Sequence, residues 1–103
     1  MELREELLRV VQARPIPNWR DEEKPRQKMV LLGSGGLTEA ELIALIIGSG
    51  TRDQTAIDLG LRLLDLYGGL NGLARLGVKE MCQVKGIGPA VACKLIAAFE
   101  LGR

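Results

Sequence analysis

The stretch Val84-Lys85-Gly86-Ile87-Gly88-Pro89-Ala90 leaves this chain few ways to fold. Two glycines bracket one aliphatic residue, a proline follows at once, and an apolar, alanine-rich segment runs on to Leu101. Glycine reaches backbone angles closed to other residues and leaves room for close approach. Ile87 can turn into the core and pin the bend. Pro89 suits the first position of a helix, where a missing N–H costs nothing. The stretch therefore predicts a tight turn between two helices, with the free amides of the turn and of the second helix's N-terminus facing outward. Such a surface attracts an anion, and a phosphodiester backbone presents anions in a row. The competing reading is a plain interhelical turn whose glycines serve geometry alone.

The rest of the chain also reads as helix. Only one Phe, one Tyr and one Trp occur in 103 residues, so a core must come from Leu, Ile, Val and Ala. Apolar residues recur at helical spacing between Gly or Thr boundaries, and no alternating strand pattern emerges. Leu3, Leu7, Leu8 and Val11 give an amphipathic helix over residues 2–13. Residues 15–24, with Pro15 and Pro17, form a linker, and Trp19 is expected to anchor that arm to the body. A short helix opens at Pro25 and ends at Gly33. Thr38, with Glu41 three residues on, forms a capping box for a buried central helix over 39–47. Thr55 caps the next helix, with Ile57, Leu61 and Leu64 as its stripe and Leu59, Leu63 and Leu66 widening it. Gly60 inside that helix costs about 1 kcal/mol against alanine, which predicts a neighbouring helix crossing closely there. Tyr67-Gly68-Gly69 ends it in a left-handed cap. Helices over 70–75 and 78–84 lead into the glycine turn, and a last helix over 89–101 is expected to be packed on several sides. The fold class is thus all-α, a small bundle of about six or seven short helices, with residues 25–103 as its main domain.

Two helix–glycine–helix units can be laid over each other. In the first, Gly48-Ser49-Gly50-Thr51 separates helices 39–47 and 55–67; in the second, Gly86-Ile87-Gly88 separates helices 78–84 and 89–101. Ser49 stands where the second unit has its apolar pin, so the first reads as a degenerate copy with a mainly structural task. Units paired in this way would present their two turns side by side.

These residues resemble the helix-hairpin-helix motif. The wider order of Pro25-Arg26-Gln27-Lys28, Leu37-Thr38-Glu39-Ala40-Glu41-Leu42, Ile47-Gly48-Ser49-Gly50-Thr51, Tyr67-Gly68-Gly69-Leu70, Lys85-Gly86-Ile87-Gly88-Pro89-Ala90 and Glu100-Leu101-Gly102-Arg103 resembles the N-terminal domain of the RadC family of bacterial, DNA-repair-associated proteins. The likeness covers residues 16–103. It implies a second domain after Arg103 with a zinc-dependent JAMM metallopeptidase-like centre, made of a glutamate, two histidines and an aspartate. This chain has no histidine, so none of that chemistry carries onto its residues.

Fourteen basic against thirteen acidic residues give a formal charge of +1, which excludes a polybasic, charge-driven binder. Any nucleic-acid contact must be local. The expected contact is weak and not sequence-specific, with phosphates held by Lys85, Gly86, Ile87, Gly88, Pro89, Ala90 and Lys94. Gly48, Ser49, Gly50 and Thr51 form a secondary hairpin. Arg26 and Lys28 could also meet phosphate, although charges in a first turn are usually solvated. The other reading is a protein-interaction or scaffold domain that positions the metallopeptidase-like half, or meets a partner or a second copy through the N-terminal helix. An enzyme is not expected, nor a cofactor. Cys82 and Cys93 read as two small buried hydrophobes, and two thiols without histidine cannot close a zinc site. The longest apolar run, Leu42 to Ile47, is too short for a bilayer, and a cytoplasmic location is expected.

Overall fold

The computed structural model describes residues 24–103, which fold into helices without a strand. The expected helix 2–13, Trp19 and residues 15–23 of the expected linker lie outside the described residues; Lys24, expected as the linker's last residue, is instead the first of a helix. Six α-helices follow in order: α1 (Lys24–Leu32), α2 (Glu39–Ile47), α3 (Ala56–Leu66), α4 (Leu70–Leu73), α5 (Val78–Met81) and α6 (Pro89–Leu101). A single 3-10 turn, Ser34–Gly36, joins α1 to α2.

α2 is the central element, packing on α1, α3 and α6. Its start is fixed by Thr38, whose hydroxyl accepts from the Glu41 amide at 3.2 Å while the Glu41 carboxylate accepts from the Thr38 amide at 2.9 Å. Each such cap contributes about 1 kcal/mol. α3 begins with the same reciprocal pair between Thr55 and Asp58. Ala40, Ile43, Ala44 and Ile47 of α2 face Ala56, Leu59, Gly60 and Leu63 of α3 within the core. The expected crossing at Gly60 is present: a Cβ there would lie 2.8 Å from the Ala40 carbonyl oxygen. α3 ends at Gly68 (φ 72°) and Gly69 (φ 103°), with the Gly69 amide donating to the Leu64 carbonyl at 2.7 Å. This six-to-one bond belongs to the Schellman ending that the two glycines predict.

Several expectations need correction. The buried stripe of α3 is Ala56, Leu59, Gly60 and Leu63; Leu61 and Leu66 are 55% and 54% exposed. α4 and α5 are shorter than their apolar patterns suggest. After each, consecutive amides bond three residues back (Arg75 to Gly72, Leu76 to Leu73; Gln83 to Glu80, Val84 to Met81) and the chain tightens out of α geometry. α6 is not packed on several sides. Only Ala92 and Leu95 are buried, Val91, Ile96, Ala98 and Phe99 are half-buried, and Cys93 and Ala97 are exposed. Cys82 is half-buried, so neither cysteine is a fully buried hydrophobe.

Candidate nucleic-acid interface

Between α5 and α6 the chain makes one turn. The Ile87 amide donates to the Val84 carbonyl at 3.0 Å, closing a four-residue bend with Lys85 and Gly86 at its centre. Gly86 has φ 98°, the positive angle that the third position of a type II turn requires. A Cβ on Gly86 would also lie 2.9 Å from Leu59 Cδ2 and 3.2 Å from the Thr51 methyl. Val84 and Ile87 are 5% and 4% exposed and join the core cluster beside Leu59, so the pin works as the sequence predicts.

Gly88 is different in kind. Its φ of −93° and ψ of 176° are extended angles open to any residue, and a Cβ there would meet nothing within 4 Å. It caps α6 without a side chain, and its carbonyl accepts from the Ala92 amide at 3.0 Å. The amides of Gly88 and Ala90 make no hydrogen bond among the described residues. Gly88, Pro89 and Ala90 are exposed, as are Lys85 in the bend and Lys94. Lys94 lies four residues beyond Ala90 and therefore on the same face of α6. The row of outward donors is shorter than expected, because the Ile87 amide is committed to Val84, its side chain is buried, and Pro89 has no N–H. Besides the Lys85 and Gly86 amides in the bend, what remains is the start of α6, where the amides of Gly88, Ala90 and Val91, unpaired among the described residues, and the helix dipole both favour an anion.

The first turn sits against the second through Thr51 and Gly86. It is wired to itself. Gly48 caps α2 at φ 87°, the Thr51 amide donates to the Gln54 carbonyl at 2.8 Å, and the Gln54 amide returns to the Thr51 hydroxyl at 3.2 Å. A Cβ on Gly50 would run into that Gln54 carbonyl. Ser49 is exposed and pins nothing. Residues 49–58 frame a shallow polar pocket of about 380 Å³ that contains Arg52, Asp53 and Asp58. Its mixed charges offer an anion much less than α6 does.

Lys28 has a partner within the fold: its Nζ lies 3.0 and 3.1 Å from the two carboxylate oxygens of Glu41, tying α1 to α2. The Thr38 amide, and then Lys28, hold the Glu41 carboxyl below the usual glutamate range against the opposing effect of burial. Sequence reading assigned Glu41 its cap but missed Lys28, thirteen residues back and without local pattern. Among the described residues no cluster of His, Cys, Asp or Glu could hold a metal ion, and no helix is long and apolar enough to cross a membrane.

Fold and site together define a small all-α domain in which two glycine turns abut and one of them opens the N-terminus of a long helix to solvent. Residues 16–93 match the family described as UPF0758 N-terminal, and the chain belongs to that family, the N-terminal region of RadC proteins. It is 43% identical over 88 residues to a UPF0758 protein of Flavobacterium johnsoniae, which covers 85% of this chain and 38% of that protein. It is 48% identical over 82 residues to a UPF0758 protein of Desulforudis audaxviator, 80% of this chain and 36% of the relative. A third UPF0758 protein, from Salinibacter ruber, is 43% identical over 93 residues, 86% of this chain and 40% of the relative. The chain thus spans about two-fifths of the length of the curated relatives it matches. No solved structure matches it.

Proposed function

We propose that this domain binds the sugar-phosphate backbone of DNA weakly and without reading sequence, through the Gly88 and Ala90 amides at the start of α6, flanked by Lys85 and Lys94. One observation carries the reading: neither backbone angles nor neighbouring atoms require glycine at position 88, where it is one of several residues that can cap a helix. Gly86 is required by its positive φ and its close neighbours, whereas Gly88 has ordinary angles and open space. A residue without a side chain at an uncapped helix N-terminus suits an external anion that must approach the backbone closely. The resemblance to helix-hairpin-helix domains, and to a family associated with DNA repair, points the same way. Backbone contacts of this kind position a protein without conveying sequence. The near-zero net charge fits a contact of few phosphates better than a broad electrostatic one.

Fluorescence anisotropy on a labelled duplex tests this. With two or three phosphates neutralised, the log–log salt dependence has a slope of about −2 to −3. Exchanging Lys85 and Lys94 for glutamate weakens binding and leaves the helical circular dichroism unchanged. Indistinguishable titrations of wild type and that variant would refute the reading.

A second reading is favoured by apolar surface elsewhere. Leu42, Ile46 and Phe99 are only half-buried along one groove, and the relatives carry further chain. In a RadC-like whole protein, that surface would let the domain act as a scaffold for a metallopeptidase-like half.

A further inference from the structure

The bend that carries Lys85 and Gly86 is held from two sides. A Cβ built on Gly86 would lie 2.9 Å from Leu59 Cδ2 and 3.2 Å from Thr51 Cγ2, so these two carbons fill the space where a side chain would stand. They differ in what else they do. Leu59 is fully buried in α3 and belongs to the core whatever the bend does. Thr51 is exposed, and its backbone and hydroxyl are both engaged within the first turn. Its amide donates to the Gln54 carbonyl at 2.8 Å, and its hydroxyl accepts from the Gln54 amide at 3.2 Å. A β-branched side chain has few rotamers open to it. With the Thr51 hydroxyl turned to Gln54, the methyl is set against Gly86. Val84 and Ile87 anchor the two ends of the bend in the core, while Lys85 and Gly86 between them are exposed.

We propose that the Thr51 methyl is a positioning group for the anion site at the start of α6. It presses on Gly86, fixes the bend, and so sets where Lys85 stands relative to the amides of Gly88 and Ala90. The proposal rests on the phosphate reading above and adds a residue that touches no phosphate itself. A bend released from Thr51 lets Lys85 move away from a phosphate held at α6, and one fewer charge is neutralised.

Two substitutions separate the methyl from the hydroxyl. Thr51→Ser keeps the bond to Gln54 and removes the methyl, whereas Thr51→Val keeps a methyl against Gly86 and gives up the hydroxyl. Both retain the backbone bond to Gln54 and, at an exposed position, are expected to melt close to wild type. The Ile87 amide, which closes the bend on the Val84 carbonyl, reports the hold. In Thr51→Ser it is expected to exchange about threefold faster or more, with the Leu59 and Leu63 amides still slow. Anisotropy titrations of a labelled duplex at several salt concentrations report the consequence. The log–log slope is expected to flatten by about 1 in Thr51→Ser, the loss of one neutralised phosphate. A smaller folded fraction would lower affinity at every salt concentration alike and leave the slope unchanged. Thr51→Val is expected to match wild type in both measurements. Unaltered Ile87 exchange in Thr51→Ser, faster exchange with an unaltered slope, or a valine variant that behaves like the serine one would each overturn the proposal. If wild type binds no duplex, the phosphate reading fails by itself and Ile87 exchange decides for Thr51: acceleration in the serine variant alone upholds its hold on the bend, and equal rates refute it.

Discussion

Gly50 and Gly88 hold the same place in two turns that touch, as the second glycine of a glycine–residue–glycine triplet, yet the fold treats them oppositely. Around Gly50 the chain closes on itself, and the Gln54 carbonyl occupies the space a side chain would take. Around Gly88 nothing approaches. The middle residues differ in the same way: Ile87 is buried against the core, and Ser49 is exposed. Two copies of one local pattern can therefore divide the work. One turn is closed on itself by the two Thr51–Gln54 bonds and serves as a brace, although its Ser49 and Gly50 amides make no hydrogen bond among the described residues; the other, braced through Thr51, leaves the start of α6 open to solvent. The lesson is that a glycine indicates a ligand only where neither backbone angle nor neighbouring atoms explain it.

The division can be tested by substitution, and the largest effect is expected at the pins. Ile87→Ala removes a buried side chain and is expected to cost about 2–5 kcal/mol, whereas Ser49→Ala stays within about 0.5 kcal/mol; urea denaturation midpoints compare the two. Equal costs would erase the asymmetry between the turns. Next come the glycines the fold requires. Gly50→Ala and Gly86→Ala are each expected to lose about 1–3 kcal/mol, the first from overpacking and the second from strain at positive φ. A smaller loss, about 1 kcal/mol, follows Thr38→Ala at the start of α2, read from thermal melts.

That same cap gives a pH dependence. Folding lowers the Glu41 pKa, chiefly through the Thr38 amide and also through Lys28. The ionised form is thus favoured in the folded state. Its contribution is fully present above the ordinary glutamate value, near about 4.3, and is lost as pH falls through the lowered folded value. The stability gap between wild type and Glu41→Gln is therefore expected to close on acidification below about pH 4; a gap that widens there would contradict the assignment. The smallest effect, of opposite sign, belongs to Gly88. Serine caps helices at least as well as glycine and restricts the unfolded chain, so Gly88→Ser is expected to stabilise by a few tenths to about 1 kcal/mol.

Much of this arrangement was legible in the residues. The bounds of α2 and α6, the Thr38 and Thr55 caps, the left-handed end of α3 and the crossing at Gly60 all follow from local chemistry: a hydroxyl three residues before an acidic partner, proline at a helix start, a glycine inside a helix. What could not be read depends on neighbours distant in sequence. The apolar, alanine-rich α6 suggests burial all round, but only the Ala92–Leu95 stripe meets the core, and Cys93 is left facing out. In α3 every leucine is equally apolar, and the position of α2 selects Leu59 and Leu63 over Leu61 and Leu66. Gly86 and Gly88 look alike as letters. Only coordinates separate the one that bends the chain from the one that leaves space. Lys28 was hidden for the same reason, since its partner lies on another helix.

The account rests on the free amides at the start of α6 meeting a phosphate, and Gly88→Ser tests that most directly. A serine hydroxyl there would accept from the same first-turn amides and place a side chain where the anion must approach. Measured together on one preparation, thermal melting is expected to be unchanged or raised while the midpoint of duplex anisotropy titration moves at least about tenfold toward weaker binding, the equivalent of about 1.4 kcal/mol. A Gly88→Ser protein that melts no lower than wild type and binds duplex with the same midpoint would contradict the claim.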